Sequence, residues 1–412
     1  MRKFLHLFLR KVKPAYVLTG LFLVYIFYIC ACGFSTFLYN SGSALYWDSG
    51  YAHYIQTVNE QYEGFLTTEQ EKPLLQNKGT YINLNGLMAN VMGQREMNER
   101  VVLKNGHLAS PTPWVTAPDS VRAAAENVIR FHQKQQEKGG HFLFVMVPSQ
   151  ISKYEDLLPT GYTDSFNETA DLFLSYLREA GVPCLDLREA MAEAGISAAD
   201  GYFVTDHHWK PQTGFWAYTK ILEALAQTGA IDPVDNFYTD VQNYTFQTYE
   251  NCFLGSSGKR TGKYYAGTDD FSFIIPSFHT DVSVTVESQN VDLRGKFEDV
   301  AYGTDIYARY PNPDYFQDDP YNAYGWGNTP LTRWRNPLAP QEGKFLLIGE
   351  SFGNVPYSLL SLYLSACDEM DMRYYDGDFA AYYEAYAPDT VVMEVNVTQT
   401  VAEITTYPYV SP

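Results

Sequence analysis

Cysteine and basic charge are what this 412-residue chain has least of. Of five cysteines, Cys30 and Cys32 lie in an apolar stretch, which leaves Cys184, Cys252 and Cys367 as three well-separated thiols. Such a set builds neither a disulfide framework nor a zinc site, and allows one bridge at most. Basic residues number 29 against 48 acidic ones, a formal net charge of −19, and Arg2, Lys3, Arg10, Lys11 and Lys13 all fall at the N-terminus. The rest of the chain is therefore strongly acidic, which argues against a nucleic-acid partner. No internal repeat or low-complexity block occurs. Only eight histidines are present, and none follows His279.

Charge is also missing from Ala15 to Leu38, a run long enough to cross a bilayer as a helix. Positive residues before it, and Glu60, Glu63, Glu69 and Glu71 after it, place residue 1 in the cytoplasm by the positive-inside rule. A cleaved signal is the rival, with Ile29-Cys30-Ala31-Cys32-Gly33 resembling a lipoprotein site, but the apolar run continues past both cysteines. The expected layout is a basic cytoplasmic tail over 1–14, a transmembrane helix over 15–38, a stalk or lead-in over 39–79 and an extracytoplasmic domain over 80–412. This makes a single-pass protein of the cell membrane with its bulk outside.

What is abundant is apolar and aromatic: 46% hydrophobic residues, with 34 Tyr, 25 Phe and 6 Trp. That supports a sizeable core and suits surfaces that handle amphipathic ligands such as sugars. Thr80 to Gly86 and Arg100 to Leu108 read as short β pieces, the second with an Asn105-Gly106 turn. A helix capped near Asp119-Ser120 leads to Phe142-Leu143-Phe144-Val145-Met146-Val147, a continuous apolar run bounded by breakers, as in a parallel strand covered on both faces. Glu168 to Ala180 predicts a helix and Val182 to Leu187 a strand. The alternation implies an α/β doubly wound, mostly parallel sheet. Residues 230 to 342, rich in Tyr, Asp, Asn, Pro and Gly, read as an irregular β-rich insertion carrying runs such as Phe271 to Ile275 and Val282 to Val286. Periodicity resumes with a strand over Phe345 to Ile348, a helix near Pro356 to Ala366 and a strand over Thr390 to Val395.

Two blocks carry chemistry. Asp206-His207-His208-Trp209 sets a carboxylate two residues before an imidazole, with Pro211 opening a helix. Gly349-Glu350-Ser351-Phe352-Gly353 ends an apolar strand in a serine on a glycine turn. Acyl transfer needs a nucleophile, a base and a group that orients the base, and Ser351, His208 and Asp206 fit those roles. The serine block also matches the nucleophile elbow of α/β-hydrolases, but that order needs a histidine after the serine. Singly, Asp206 and Ser351 also suit helix caps, His208 a satisfied buried histidine, and the Asp206-His207-His208 trio a metal. No second cluster of His or Cys supports the metal, and the reading calls for no metal and no cofactor.

These blocks resemble the bacterial DHHW protein family, related to alginate O-acetyltransferase proteins of SGNH-hydrolase type, in which D-x-H-W precedes G-D-S in a circularly permuted SGNH order. The resemblance extends to Val147-Pro148-Ser149-Gln150, Leu185-Asp186-Leu187, Met372-Arg373-Tyr374-Tyr375 and Pro388-Asp389-Thr390, and so covers roughly residue 80 to the end. It implies an SGNH-hydrolase-like fold and an O-acyltransferase, acetyl being the group moved, that modifies a cell-envelope or exported polysaccharide through an acyl-serine. By the same resemblance, a multi-pass membrane O-acyltransferase supplies the acyl group. It favours His208 over His207 as the base. Asn354, Arg373 and Asn396 are candidates for substrate or oxyanion contacts. Glu350 stands where the relatives carry Asp. A carbohydrate esterase with the same residues, and a catalytically silent glycan-binding or scaffold protein of polysaccharide export, are the alternatives.

Overall fold

In the computed structural model, residues 19–20, 22–25, 27–28, 78–302, 313–399, 401 and 404 are described. The chain divides into two compact units, Met1–Tyr81 and Ile82–Pro412. In the first, residues 19–20, 22–25 and 27–28 are helical, and the side chains of Phe22, Leu23, Val24, Phe27 and Tyr28 are exposed. The rest of the membrane helix expected over 15–38 lies outside the described residues, as do the tail 1–14 and nearly all of the lead-in 39–79. Among the described residues no helix is long and apolar enough to cross a membrane, so the fold carries no support for that expectation.

The second unit is built on an eight-stranded mixed sheet. Its parallel part comprises β4 (His141–Val147), β5 (Cys184–Asp186), β11 (Gln341–Ile348), β12 (Leu364–Met370) and β13 (Thr390–Asn396), in the order β5-β4-β13-β11-β12. Alternation along each strand explains why the runs are apolar without a break. Phe142, Phe144 and Met146 of β4, Leu346 and Ile348 of β11, and Val391 and Met393 of β13 share one core. Their neighbours Leu143, Val145, Val147, Phe345, Leu347 and Val392 belong to the other. Helices α1 (Pro118–Glu137), α2 (Phe166–Glu179) and α6 (Phe379–Tyr386) cover the first face, and α3 (Pro211–Gln227) and α5 (Asn354–Tyr363) the second. Fully burying one such side chain is worth about 1.5–3 kcal/mol, so both faces hold the sheet in register.

Several expectations need correction. Thr80 to Gly86 is not a β piece but part of a helix, Lys78–Val91. Its alternating pattern is overridden by packing: a Cβ on Gly86 would come 2.1 Å from the Thr261 carbonyl oxygen, a close approach only glycine permits. Ala117, not Asp119 or Ser120, is the N-cap of α1, because Pro118 takes the first helical position. The region 230–342 is more than an insertion. It supplies β8 (Val282–Val286), β9 (Val291–Gly295) and β10 (Thr332–Arg335), which extend the main sheet antiparallel from β12 in the order β10-β8-β9. From the same region β6 (Tyr244–Phe253) and β7 (Asp269–Pro276) form a separate ribbon. The hairpin expected near Asn105-Gly106 is present as β2 (Arg100–Val102) and β3 (Leu108–Ala109), joined on its other side by β1 (Glu96–Met97). Cys184, Cys252 and Cys367 are free thiols.

Helices α3 and α5 set the position of the two chemical blocks. Each begins three residues after a candidate catalytic side chain, Pro211 after His208 and Asn354 after Ser351. They pack on each other near these ends: a Cβ on Gly214 would lie 2.5 Å from Cγ1 of Val355. Gly214→Val therefore overpacks this contact and is expected to lower stability by about 1–3 kcal/mol. Urea denaturation of the parent and variant checks it, and an unchanged midpoint would show that the two helices separate freely.

Candidate active site

The stretch from Tyr202 to Trp209 folds as a tight loop closed by an antiparallel bridge between those two residues, with Lys210 N–H donating to the Gly201 carbonyl at 2.8 Å. Asp206 is at its apex. One carboxylate oxygen, Oδ1, accepts from the backbone N–H of His208 at 3.0 Å and lies 2.5 Å from that residue's Nδ1. The spacing of two thus works through a turn that carboxylates favour, not through an extended segment. On the far side of the ring, His208 Nε2 is 2.7 Å from Ser351 Oγ. Asp206, His208 and Ser351 are all buried, at 3%, 9% and 8% exposure, so the line of three is largely screened from water.

The neighbours keep this line straight. Tyr321 stacks flat on the His208 ring at 4.1 Å, and Phe352 and Trp209 pack edge-on at 5.4 Å. Trp209, fully buried, anchors the loop by packing. Gln150, beyond the end of β4, donates its side-chain amide to the carbonyls of Phe203 at 2.8 Å and Asp206 at 2.5 Å. Short helix α4 (Ser256–Thr261) brings the Ser256 N–H to the second Asp206 oxygen at 2.5 Å. Gly255 must be glycine for this, since a Cβ there would sit 2.2 Å from Asp206 Cβ. Buried Asp269 accepts from the Val204 and Thr205 N–H groups, each at 2.8 Å, and from the Thr205 hydroxyl at 2.6 Å. Gln150 entered the sequence reading only as part of a resembling block, and Gly255, Ser256 and Asp269 were not singled out there. The last three come from the irregular region, where no periodicity marks them.

Burial opposes the negative charge of Asp206, but His207, His208 and the hydrogen bonds from His208 and Ser256 outweigh it and hold the carboxyl well below the usual range. Asp206 is thus an anion able to fix the Nδ1–H tautomer of His208, leaving Nε2 to accept from the serine hydroxyl. His207 points outward, half-exposed, with Nδ1 2.9 Å from Ser256 Oγ. Asp206, His207 and His208 have ligating atoms within 4.8 Å of one another, but a metal there would have to displace the His208 bonds to Asp206 and Ser351.

Ser351 opens a 3₁₀ turn, Ser351–Gly353, between β11 and α5, at the carboxyl edge of the sheet. The three further candidates are placed differently. Asn354 is the buried first residue of α5. Asn396, at the end of β13, donates to the Pro148 carbonyl at 2.9 Å and accepts from the Thr398 N–H at 2.9 Å and hydroxyl at 2.7 Å. Arg373 holds Asp371 through two nitrogens at 2.9 and 2.6 Å, with Nη1 3.6 Å from Glu350. The amide of Asn396 and the guanidinium of Arg373 thus hold the protein around the site.

Serine at the head of a strand-to-helix turn thus faces histidine and aspartate across the carboxyl edge of a mixed α/β sheet. Residues 114–250 match the family described as "SGNH hydrolase-like domain, acetyltransferase AlgX". Among solved structures, the chain is similar to Bacillus cereus PatB1 with a sulfonyl adduct: 19% identity, TM-score 0.62, over 76% of this chain and 99% of that one. A DHHW family protein from Eubacterium siraeum is similar at 18% identity and TM-score 0.54, over 75% of this chain and 94% of that one. At these identities the likeness is one of fold. No curated protein matches the chain. The resemblance drawn from the two sequence blocks is thereby met at the level of fold, with residues 114–250 matching an SGNH hydrolase-like acetyltransferase domain.

Beneath the serine turn lies a group the sequence analysis passed over. Glu394, on β13 and 2% exposed, sets Oε2 under the two glycines of the turn, 2.5 Å from where a Gly353 Cβ would be and 3.1 Å from that of Gly349. Neither of its oxygens has a hydrogen-bond partner among the described residues. Burial, reinforced by the charges of Glu350 and Glu369 and only partly offset by Arg373, pushes its pKa well above the ordinary 4.5. A carboxyl in an otherwise apolar strand was the available signal. Because the folded value is raised, its contribution to stability is complete below pH 4.5 and is lost as pH rises toward the folded value. Glu394→Gln removes that dependence. Parent and variant should melt together near pH 4.5 and diverge above it in the variant's favour, by at most about 1.4 kcal/mol per pH unit. Parallel melting curves from pH 5 to 8 would show that Glu394 is ionised in the fold.

Proposed function

We propose that the protein is an O-acyltransferase that moves an acyl group, acetyl first among them, onto a sugar hydroxyl of a cell-envelope or exported polysaccharide. The observation that carries this reading is the Ser351 Oγ to His208 Nε2 contact at 2.7 Å, with Asp206 on the opposite nitrogen. His208 takes the hydroxyl proton as Ser351 attacks the acyl carbonyl of the donor. The Ser351 N–H, at the head of its turn, is assigned to the developing oxyanion. His208 then returns the proton to the leaving group and an acyl-serine remains. A sugar hydroxyl, deprotonated by the same histidine, attacks that ester and restores the serine. Asp206 stays ionised throughout and stabilises the imidazolium.

Transfer in preference to hydrolysis is supported by the acetyltransferase family matched over residues 114–250. The charge-free run from Ala15 to Leu38, with basic residues before it, supports an N-terminal anchor in the bacterial cell membrane with the rest of the chain outside. A multi-pass membrane O-acyltransferase is the proposed source of the acyl group.

A fluorophosphonate should label Ser351 covalently in the parent and leave Ser351→Ala unlabelled. Both Ser351→Ala and His208→Ala are expected to lower acyl transfer from p-nitrophenyl acetate by about four orders of magnitude or more. Mass spectrometry of the labelled peptide is the measurement. An intact fold that resists labelling would sink the nucleophile, and release of acetate with no acylated sugar would make the enzyme an esterase.

A further inference from the structure

The helix Lys78–Val91 is turned the wrong way round for an ordinary surface helix, which buries its apolar stripe and shows water its polar face. Here the polar side is the one held by the protein. Asn83 Oδ1 accepts from the Lys263 N–H at 2.8 Å, and the Asn90 side-chain amide donates to the Tyr264 carbonyl at 2.9 Å. Between them Gly86 and Ala89 are buried, and Gly86 lies directly on the Thr261 carbonyl at the end of α4.

The opposite side carries Leu84, Leu87, Met88, Val91 and, just past the last turn, Met92. At 3.6 residues per turn these positions stack into one stripe facing away from Gly86. Val91 and Met92 are 79% and 62% exposed, and the other three are exposed as well. Scattered apolar residues are ordinary on a protein surface, but a contiguous row on a helix pinned through its polar side marks an interaction surface.

Charge selects what that surface meets. From Lys78 to Arg95 the sequence holds no aspartate or glutamate, although acidic residues outnumber basic ones by 48 to 29 in the whole chain. Lys78 and Arg95 stand at either end of the stripe. An acid-free apolar row between two cations suits an anionic bilayer surface, where the apolar side chains enter the headgroup boundary by about 5–10 Å and the cations meet lipid phosphates. The chain also brings such a surface within reach, since only residues 39–77 separate the helix from the charge-free run Ala15 to Leu38.

We infer that the Lys78–Val91 helix lies on the outer surface of the cell membrane, with Leu84, Leu87, Met88, Val91 and Met92 seated at the headgroup boundary of anionic phospholipids. The inference rests on the proposed N-terminal anchor for the nearness of the bilayer. Because the helix rests on α4, whose Ser256 N–H holds Asp206, such a seat sets how the serine site faces the membrane from which the acyl group is proposed to come.

The test uses the full-length chain reconstituted in liposomes of phosphatidylethanolamine and phosphatidylglycerol, carrying the photoreactive substitution Val91→benzoylphenylalanine. The control carries the same group at Glu137, an exposed position on α1. After irradiation, mass spectrometry should find lipid adducts at position 91 at about fivefold or more the level at position 137. Adding Met92→Asp, at an exposed position, should cut the lipid adduct at 91 about threefold or more. An adduct joining two chains, an adduct to another segment of the same chain, or equal lipid labelling at 91 and 137 would overturn the inference. So would lipid labelling indifferent to Met92→Asp in a folded protein. Alkaline carbonate extraction of the same liposomes reads the anchor separately: release of a chain that still labels lipid at 91 removes the anchor, whereas a retained chain that labels no lipid there removes only the seat of the helix.

Discussion

The hydrogen bond between His208 and Ser351 joins residues 143 positions apart, and no local element can make it. It depends on the packing of two helix beginnings. Because α3 starts just after the histidine loop and α5 just after the serine turn, the Gly214–Val355 contact fixes the distance between loop and turn. The two helices share the same core on one face of the sheet, so the site inherits the rigidity of that core. Loops placed by a packed scaffold in this way can hold a 2.7 Å contact without strand or helix geometry of their own.

The region between residues 230 and 342 completes the arrangement from the other side. Asp269 at the start of β7 gathers the N–H groups of Val204 and Thr205, and Gly255-Ser256 closes on Asp206. A carboxylate that accepts from a backbone N–H and an imidazole at once has little freedom to turn. The orientation of His208 is therefore set by three separate chain segments, the loop itself, the end of β4 through Gln150, and α4. The same α4 carries Arg260 to a cavity beside the serine turn, so one short helix bears on both the orienting carboxylate and the approach to the serine.

Much of this was legible in the residues, and the parts that were not share a cause. Phe142 to Val147 and Thr390 to Val395 declared themselves as buried strands because both of their faces are apolar. The two chemical blocks were visible because aspartate, histidine and serine sit next to glycine or proline punctuation. β12 was missed, since Ser365, Asp368 and Glu369 break its apolar pattern and only pairing with β11 and β10 makes it a strand. Residues 80–86 misled in the opposite sense, alternating like a strand while forming a helix against Thr261. Gly255, Ser256 and Asp269 could not be singled out because their role is defined only by what the chain brings to them. Local pattern reports burial well and long-range hydrogen bonding poorly.

Glu350 stands where the resemblance calls for aspartate, and its surroundings give the longer side chain a reason. It precedes Ser351, is 6% exposed, and reaches to 3.6 Å from Arg373, whose other nitrogens are held by Asp371. Glu394 lies beneath the same turn, its pKa raised by burial and by the charge of Glu350 itself. An aspartate at this position would draw its carboxylate back by up to about 1.5 Å, one carbon–carbon bond. Arg373 would then fall outside ion-pair distance, and its offset of the acidic cluster under the serine turn would weaken. Glutamate at 350 and arginine at 373 are therefore matched in length. Glutamate here, compared with aspartate, keeps the carboxylate beside the serine while changing which atoms balance it.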